Sequence, residues 1–289
     1  MRAVLYLQGL FQPQDDWPLQ SLEQFKRQQQ IQALWIGVMA FLLPVFLYFG
    51  NRGTDCFRDS ISHSYYLPFW GNVFVAITFS IGVLLLFYRG QSRSERKLVI
   101  VSALCAFVVA LNPTNGSGCD EIFSQSRVLF ETHDDVLLRS AFPIGMVAGK
   151  VHLAGAVLLF VCLAIFNLLV FTALDTTTKS SKKKANRNKV IRNRIYKFCG
   201  YMMLLTIVTL AIGFSTNLDD CEAFNASQGI TQAIAECDPS TWDRYNLTFY
   251  FEWLGLALFG AAWFVKGRGG GFLLTDEHPD KVICKPWWW

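Results

Sequence analysis

Three parts of this sequence carry side chains suited to chemistry. One is the polar run DSISHSYY at 59–66, and the others are two single ionisable residues, His152 and Glu252, each within about two turns of the start of an apolar run. An ionisable group within such a run is costly and usually serves a function. We therefore predict an outward-facing polar pocket whose candidate catalytic residues are Asp59, Ser60, His63, His152 and Glu252.

Glu252 stands between Phe251 and Trp253. A carboxylate in this position suits a general acid or base, a cation ligand, or a partner for His152. The alternative is a carboxylate that only ties helices together through a hydrogen bond. The sequence leaves both interpretations open.

The same residues suggest two further kinds of chemistry. His63 and His152 are potential metal ligands, with Asp59 and Glu252 to complete the set. However, the chain has no HxxxH, HExxH or CxxC pattern, so we expect no metal and no cofactor. Ser60 or Ser62 beside His63 suggests a nucleophile with its base, although serines ahead of a helix are more often caps.

The elements that must position these residues are membrane-spanning helices. Of 289 residues, 52% are hydrophobic and only 17% are charged, which excludes an ordinary soluble domain. A spanning helix needs about 20 mostly apolar residues. We predict an all-α polytopic protein with six spans, at about 32–50, 68–88, 97–112, 150–173, 196–214 and 247–265. Residues 1–31 are predicted to form a cytoplasmic amphipathic segment, 32–266 the six-helix domain and 267–289 a cytoplasmic tail.

The basic residues predict the orientation. If the loops alternate between sides, twenty Lys and Arg residues fall on the side of the two termini and six on the other, whereas acidic residues divide eight to fourteen. Because cytoplasmic loops are enriched in Lys and Arg, both termini should be cytoplasmic. The expected location is the plasma membrane.

Four of the eight cysteines fall in the predicted outer loops. An even number on one face is typical of an oxidising compartment. We favour a bond between Cys221 and Cys237 because that loop closure is short. By elimination, Cys56 would pair with Cys119.

The loop before the fifth span is strongly basic. Each Lys or Arg near an anionic surface contributes about 1 kcal/mol of attraction. We expect anionic lipid of the inner leaflet to contact Lys182, Lys183, Lys184, Arg187 and Lys189. The modest net charge of +4 gives no reason to expect a nucleic-acid partner.

Several motifs carry a resemblance to known proteins. They are the Ile-Ser motif of the first outer loop, His152-Leu-Ala-Gly-Ala, the Arg-Asn-Arg-Ile-Tyr-Lys stretch before the fifth span, and Glu252-Trp253 in the sixth. Over residues 35–267 the chain resembles a widespread family of uncharacterised six-helix membrane proteins of bacterial type. It is more distantly similar to the damage-regulated autophagy modulator and FGF-receptor-activating-protein family, which includes a protein that acts in the remodelling of lipid anchors. The matching residues are Ser60, Ser62, His152, Glu252 and Trp253.

Three functions fit these observations. The leading hypothesis is a pocket that binds or modifies a membrane lipid or its headgroup. The second is a non-enzymatic sensor or scaffold whose disulfide-bonded outer loops bind a protein partner or a second copy of the chain. The third is a channel or a proton-coupled transporter, for which the helices offer few polar positions along their length.

Overall fold

A computed structural model describes residues 19–54, 56–67, 69–88, 93–114, 145–172, 187–227 and 241–268. Within these ranges the protein is helical and has no strand, which confirms the all-α prediction. The six long helices are α1 (Leu19–Arg52), α2 (Trp70–Phe87), α3 (Arg93–Leu111), α4 (Gly145–Ile165), α5 (Arg187–Ser227) and α6 (Leu247–Lys266). A 3-10 helix, Ser62–Tyr66, lies between α1 and α2, and a single turn, Thr241–Arg244, precedes α6.

The helices pack in a ring. Each one contacts the next in sequence, and α6 returns to pack along α1. Glycines allow this last pair a close approach, since a methyl group on Gly37 would lie 2.5 Å from the backbone nitrogen of Phe264 and one on Gly260 would lie 3.0 Å from the carbonyl oxygen of Gly37. Small residues at a helix interface are typical of membrane bundles.

Five of the helices in the described part of the chain are long and apolar enough to cross a membrane. They lie within α1, α2, α4, α5 and α6, and the helical run of α4 continues through a π turn, Phe166–Val170. The predicted third span, 97–112, does form the helix α3. However, α3 begins with the polar sequence RSERK, which leaves 14 residues to Leu111, or about 21 Å at 1.5 Å per residue.

Helix α1 changes the predicted N-terminal boundary. It runs without a break from Leu19 to Arg52, so residue 31 does not separate a surface segment from the first span. Its apolar stretch between Arg27 and Arg52 meets the length and composition of a membrane span. Residues 19–26 therefore belong to the same continuous helix as the first span.

The apolar side chains divide between the interior and the outer surface of the ring. One buried cluster surrounds Trp263, and a second contains Phe74 and Phe249 at the end of the bundle where α1 meets α2. We call this the site end. On α5, Leu205 and Ile212 are more than half exposed. Apolar side chains in contact with lipid need no protein partner, so this surface is the one expected of a membrane protein.

Several predicted residues lie outside the described part of the chain. Cys119 and Cys237 are among them, and Cys221 is described only as backbone within α5, so both disulfide pairings stay predictions. The free cysteines that the structure does describe, Cys105, Cys162 and Cys199, are all within helices, and Cys56 is not one of them. Of the predicted lipid contacts, the backbones of Arg187 and Lys189 begin α5, whereas Lys182, Lys183 and Lys184 lie outside the description, as do residues 269–289 of the tail.

Candidate functional site

The carboxylate of Glu252 holds the loop between α1 and α2. Glu252 lies on the second turn of α6, and the Ser60 hydroxyl lies 3.0 Å from one of its oxygens and 2.8 Å from the other. The backbone N–H of Ile61 donates to Oε2 at 2.6 Å. The Ser60 oxygen in turn accepts the backbone N–H of Ser62 at 3.1 Å. One side chain from the last helix therefore fixes three consecutive residues of the first loop.

His152 joins α4 to the same loop. Its Nδ1 lies 2.8 Å from the carbonyl oxygen of Asn112 and its Nε2 lies 3.0 Å from the hydroxyl oxygen of Ser62. A carbonyl oxygen only accepts, so Nδ1 must carry the proton. In the neutral imidazole Nε2 is then an acceptor, and the Ser62 hydroxyl donates to it. The ring is only 2% exposed and stacks on Phe74 at 6.5 Å between centroids.

Asp59 and His63 form a separate pair on the loop, with Nδ1 and Oδ1 2.5 Å apart. Burial alone would raise the pKa of Asp59, but the hydrogen bond and the charge of His63 lower it below its ordinary value of 3.8. The backbone of Asp59 and the charge of Arg58 act in the same direction. Asp59 is thus a carboxylate at neutral pH.

Further side chains brace the loop from both ends. The amide of buried Asn51, at the end of α1, donates to the carbonyl of Arg58 at 3.0 Å and accepts its N–H at 2.9 Å. The Tyr66 hydroxyl donates to the carbonyl of Thr114 beyond the end of α3. Burial raises the pKa of Tyr66 to about 12, so the phenol stays a donor at physiological pH.

A cavity of about 80 Å³ adjoins this polar cluster. Ile61, Ser62 and Glu252 form part of its wall, and the remaining wall comes from α1, α2, α3, α4 and α6. Apart from Thr78, this remainder consists of apolar side chains: Leu43, Phe74, Ile81, Ala106, Val109, Ala156, Leu159, Phe160, Leu163, Leu256 and Phe259. The cavity is therefore mainly apolar, with a few polar side chains in its wall.

The structure brings the predicted residues to one end of the bundle but pairs them differently. Ser62 lies beside His152, not beside His63, whose ring turns to Asp59. Glu252 is bonded to Ser60 and Ile61 and not to His152. Among the described residues, no three His, Cys, Asp or Glu side chains are arranged to hold a metal ion.

Two residues of the site were missed from the sequence. Asn51 ends an apolar run just before the polar loop, and an amide at such a boundary is a signal for a loop brace. Asn112 gave no such signal, because it acts through its backbone carbonyl, which every residue has.

Comparison of the chain with protein-family models, with curated proteins and with solved structures finds no match. The resemblances drawn from its motifs therefore stay expectations. What the site does has to be argued from its own geometry.

Proposed function

We propose that this protein is a multi-pass membrane protein whose polar pocket binds or modifies a membrane lipid or its headgroup. The observation that carries the proposal is the cavity between the helices, whose mainly apolar wall includes Ser62 and Glu252. A lipid has the same division, with a polar headgroup or ester joined to an apolar chain. Ligand pockets in proteins are mainly apolar with a few polar groups that fix orientation.

The wall of the cavity offers one further polar group. The hydroxyl of Thr78 is buried and has no hydrogen-bond partner among the described residues. A buried hydroxyl without a partner costs about 1–3 kcal/mol. A ligand oxygen that enters the cavity beside Thr78 would remove this cost, which supports a ligand with an oxygen atom near its apolar chain.

The cavity does not favour a channel or a transporter. An ion path needs polar groups at successive depths. Below Ser62 and Glu252, Thr78 is the one polar side chain in the described cavity wall, and its neighbours Ile81 and Leu163 are apolar. A lipid chain is the occupant that matches this lining.

The proposal includes a topology. We take α3 as the sixth span, since its apolar part packs within the ring even though its first turn is charged. The distribution of Lys and Arg supports cytoplasmic termini at the plasma membrane, with the site end facing outward. On that side, disulfides Cys56–Cys119 and Cys221–Cys237 would close the outer loops, and the basic loop before α5 would contact anionic lipid of the inner leaflet.

The test is a photo-crosslinking experiment with a phosphatidylcholine that carries a diazirine in one acyl chain. The full chain is reconstituted in vesicles, irradiated and digested, and crosslinked residues are identified by mass spectrometry. Lipid inside the cavity should react with Leu159, which is 9% exposed, as well as with Leu158, which is 47% exposed on the outer face of the same helix.

A matched pair of variants separates the cavity from the surface. Ala156→Phe places a ring in the cavity wall and should remove the crosslink to Leu159 while that to Leu158 remains. Ala154→Phe, on the exposed side of α4, should change neither of the two crosslinks. If Leu159 is never crosslinked in the unmodified protein, or is crosslinked equally in Ala156→Phe, the proposed lipid site is wrong.

A further inference from the structure

Ser62, His152 and the carbonyl of Asn112 form a chain of hydrogen bonds, and Ser62 also lies in the wall of the cavity. From this arrangement we infer that the proposed lipid pocket is an acyl-transfer site, in which the Ser62 hydroxyl is the nucleophile and His152 is its general base. The substrate class is a carboxylic ester of a lipid. The inference rests on the proposed function and specifies its chemistry.

The geometry meets the requirements for an activated serine. A nucleophile and its base must lie about 2.6–3.2 Å apart, with a third group that orients the base. Ser62 Oγ lies 3.0 Å from His152 Nε2. The Asn112 carbonyl, 2.8 Å from Nδ1, holds the tautomer whose Nε2 can take a proton. In serine hydrolases a carboxylate performs this orienting role, and here a backbone carbonyl occupies its place.

The loop is held so that Ser62 has little freedom to leave this position. Ser62 is the first residue of the 3-10 helix, and its backbone N–H donates to Ser60, which is bonded to Glu252. Ile61 is fixed to the same carboxylate. We therefore take Glu252 as a positioning residue that acts on Ser62 through the loop.

The position of Ser62 also selects the substrate. The residue lies in the wall of the cavity together with Phe74 and Val109. An acyl chain in the cavity whose carbonyl carbon lies beside Ser62 would be placed for attack by its hydroxyl. A cavity of about 80 Å³ accommodates only a short segment of an acyl chain. The site should therefore prefer short acyl groups, or a longer acyl group whose remainder leaves the bundle between two helices.

The reaction can be written with its atoms balanced. Ser62 Oγ bonds to the ester carbonyl carbon as its proton passes to His152 Nε2. The bond from that carbon to the alcohol oxygen breaks, and the alcohol leaves with the proton from His152. A water molecule or a second alcohol then gives its proton to His152 and attacks the acyl-serine, which releases an acid or a new ester and restores the Ser62 hydroxyl.

The chain contains its own matched control. Ser64 lies in the same 3-10 helix, is fully buried and has no partner for its hydroxyl among the described residues. It shares the residue type and the local backbone of Ser62, but its hydroxyl is not hydrogen-bonded to an imidazole. Ser64→Ala should therefore keep the activity that Ser62→Ala loses.

The experiment treats the purified full chain in vesicles with an alkyl fluorophosphonate, which bonds covalently to activated serines with loss of fluoride. Peptide mass spectrometry locates the adduct, and p-nitrophenyl butyrate measures ester hydrolysis. We expect the adduct on Ser62. It should be absent in Ser62→Ala and retained in Ser64→Ala, and hydrolysis should fall by about 100-fold or more in His152→Gln.

A cysteine variant covers the case in which Ser62→Ala fails to fold. Ser62→Cys keeps a nucleophile beside His152 and should still hydrolyse the ester, and a thiol reagent should abolish this activity. The activity of Ser64→Cys should not change when the same reagent is added. An adduct on another serine, no adduct in the unmodified protein, or full activity in Ser62→Ala would overturn the inference. If Leu159 is still crosslinked by the photoreactive lipid in that event, the lipid site stands and only its acyl-transfer chemistry is wrong.

Discussion

The carboxylate of Glu252 and the backbone N–H of Ile61 meet at 2.6 Å although 191 residues separate them in sequence. The contact joins the last helix to the first loop. It holds the middle of a polar loop that Asn51 and Tyr66 brace at its ends and that His152 contacts at Ser62. The first prediction follows from this contact.

Replacement of Glu252 by alanine should destabilise the site end. Ser60 and Ile61 would each lose an acceptor, and a buried donor left unpaired costs about 1–3 kcal/mol. Glu252→Gln keeps one oxygen acceptor for Ile61 and should lose less. Thermal unfolding in detergent should give melting temperatures in the order wild type, Glu252→Gln, Glu252→Ala. Equal melting temperatures for all three would show that the carboxylate does not hold the loop.

The α1–α6 contact should be intolerant of added volume. A methyl group on Gly37 would overlap the backbone of Phe264, and overpacking of this kind costs about 1–3 kcal/mol. Gly37→Ala should lower the melting temperature and the yield of folded protein. At Gly53, where a methyl group meets only a carbonyl oxygen at 3.6 Å, the same change should have no effect. If Gly37→Ala and Gly53→Ala have the same melting temperature and the same yield, the close approach of α1 and α6 is wrong.

Acid should weaken the loop only at low pH. Because His63 and Arg58 hold the pKa of Asp59 below 3.8 despite burial, the unfolded chain takes up a proton first as pH falls. The contribution of Asp59 is complete above pH 3.8 and is lost as pH falls through the lowered pKa. Melting temperatures of wild type and Asp59→Asn should differ by a constant amount from pH 7 to about pH 4.5 and converge below it. A difference that disappears already at pH 6 would show that protonation of Asp59 does not cause it.

The orientation can be checked with thiol reagents. Cys284 lies in the predicted cytoplasmic tail, and a membrane-impermeant maleimide should reach it only after cells are permeabilised. Arg244, exposed in the turn before α6, lies at the site end, so the variant Arg244→Cys should be labelled in intact cells. Labelling of Cys284 in intact cells before that of Arg244→Cys would reverse the topology.

The helices could be predicted from the sequence because long apolar runs have few alternatives to a helix in a membrane. The gathering of Ser60, His152 and Glu252 also followed from their similar depth, since Ser60 precedes one such run and the other two residues lie near the starts of two more. The detailed pairing could not be predicted. Whether Ser62 faces His63 or His152 depends on the 3-10 turn, which points neighbouring side chains in different directions.

The start of α3 shows a second limit. The apolar run 97–112 placed a helix correctly, but the helix extends back to Arg93 through charged residues. Glu95 is only 3% exposed, and this burial depends on the helices that pack around it and not on the residue type. Hydropathy alone does not distinguish a charged residue at the membrane surface from one that is buried between helices.

The reach of Glu252 back to the first loop has a consequence for biosynthesis. The loop that carries Ser62 is synthesised early, but the carboxylate that holds it arrives with α6, after α1 to α5 have been made. Until then Ser60 and Ile61 lack their acceptor, and of the contacts described above only those to Asn51, Thr114 and His152 hold the loop. The site can be completed only when α6 has joined α1, and an unfinished or truncated chain would carry the residues of the site without its geometry.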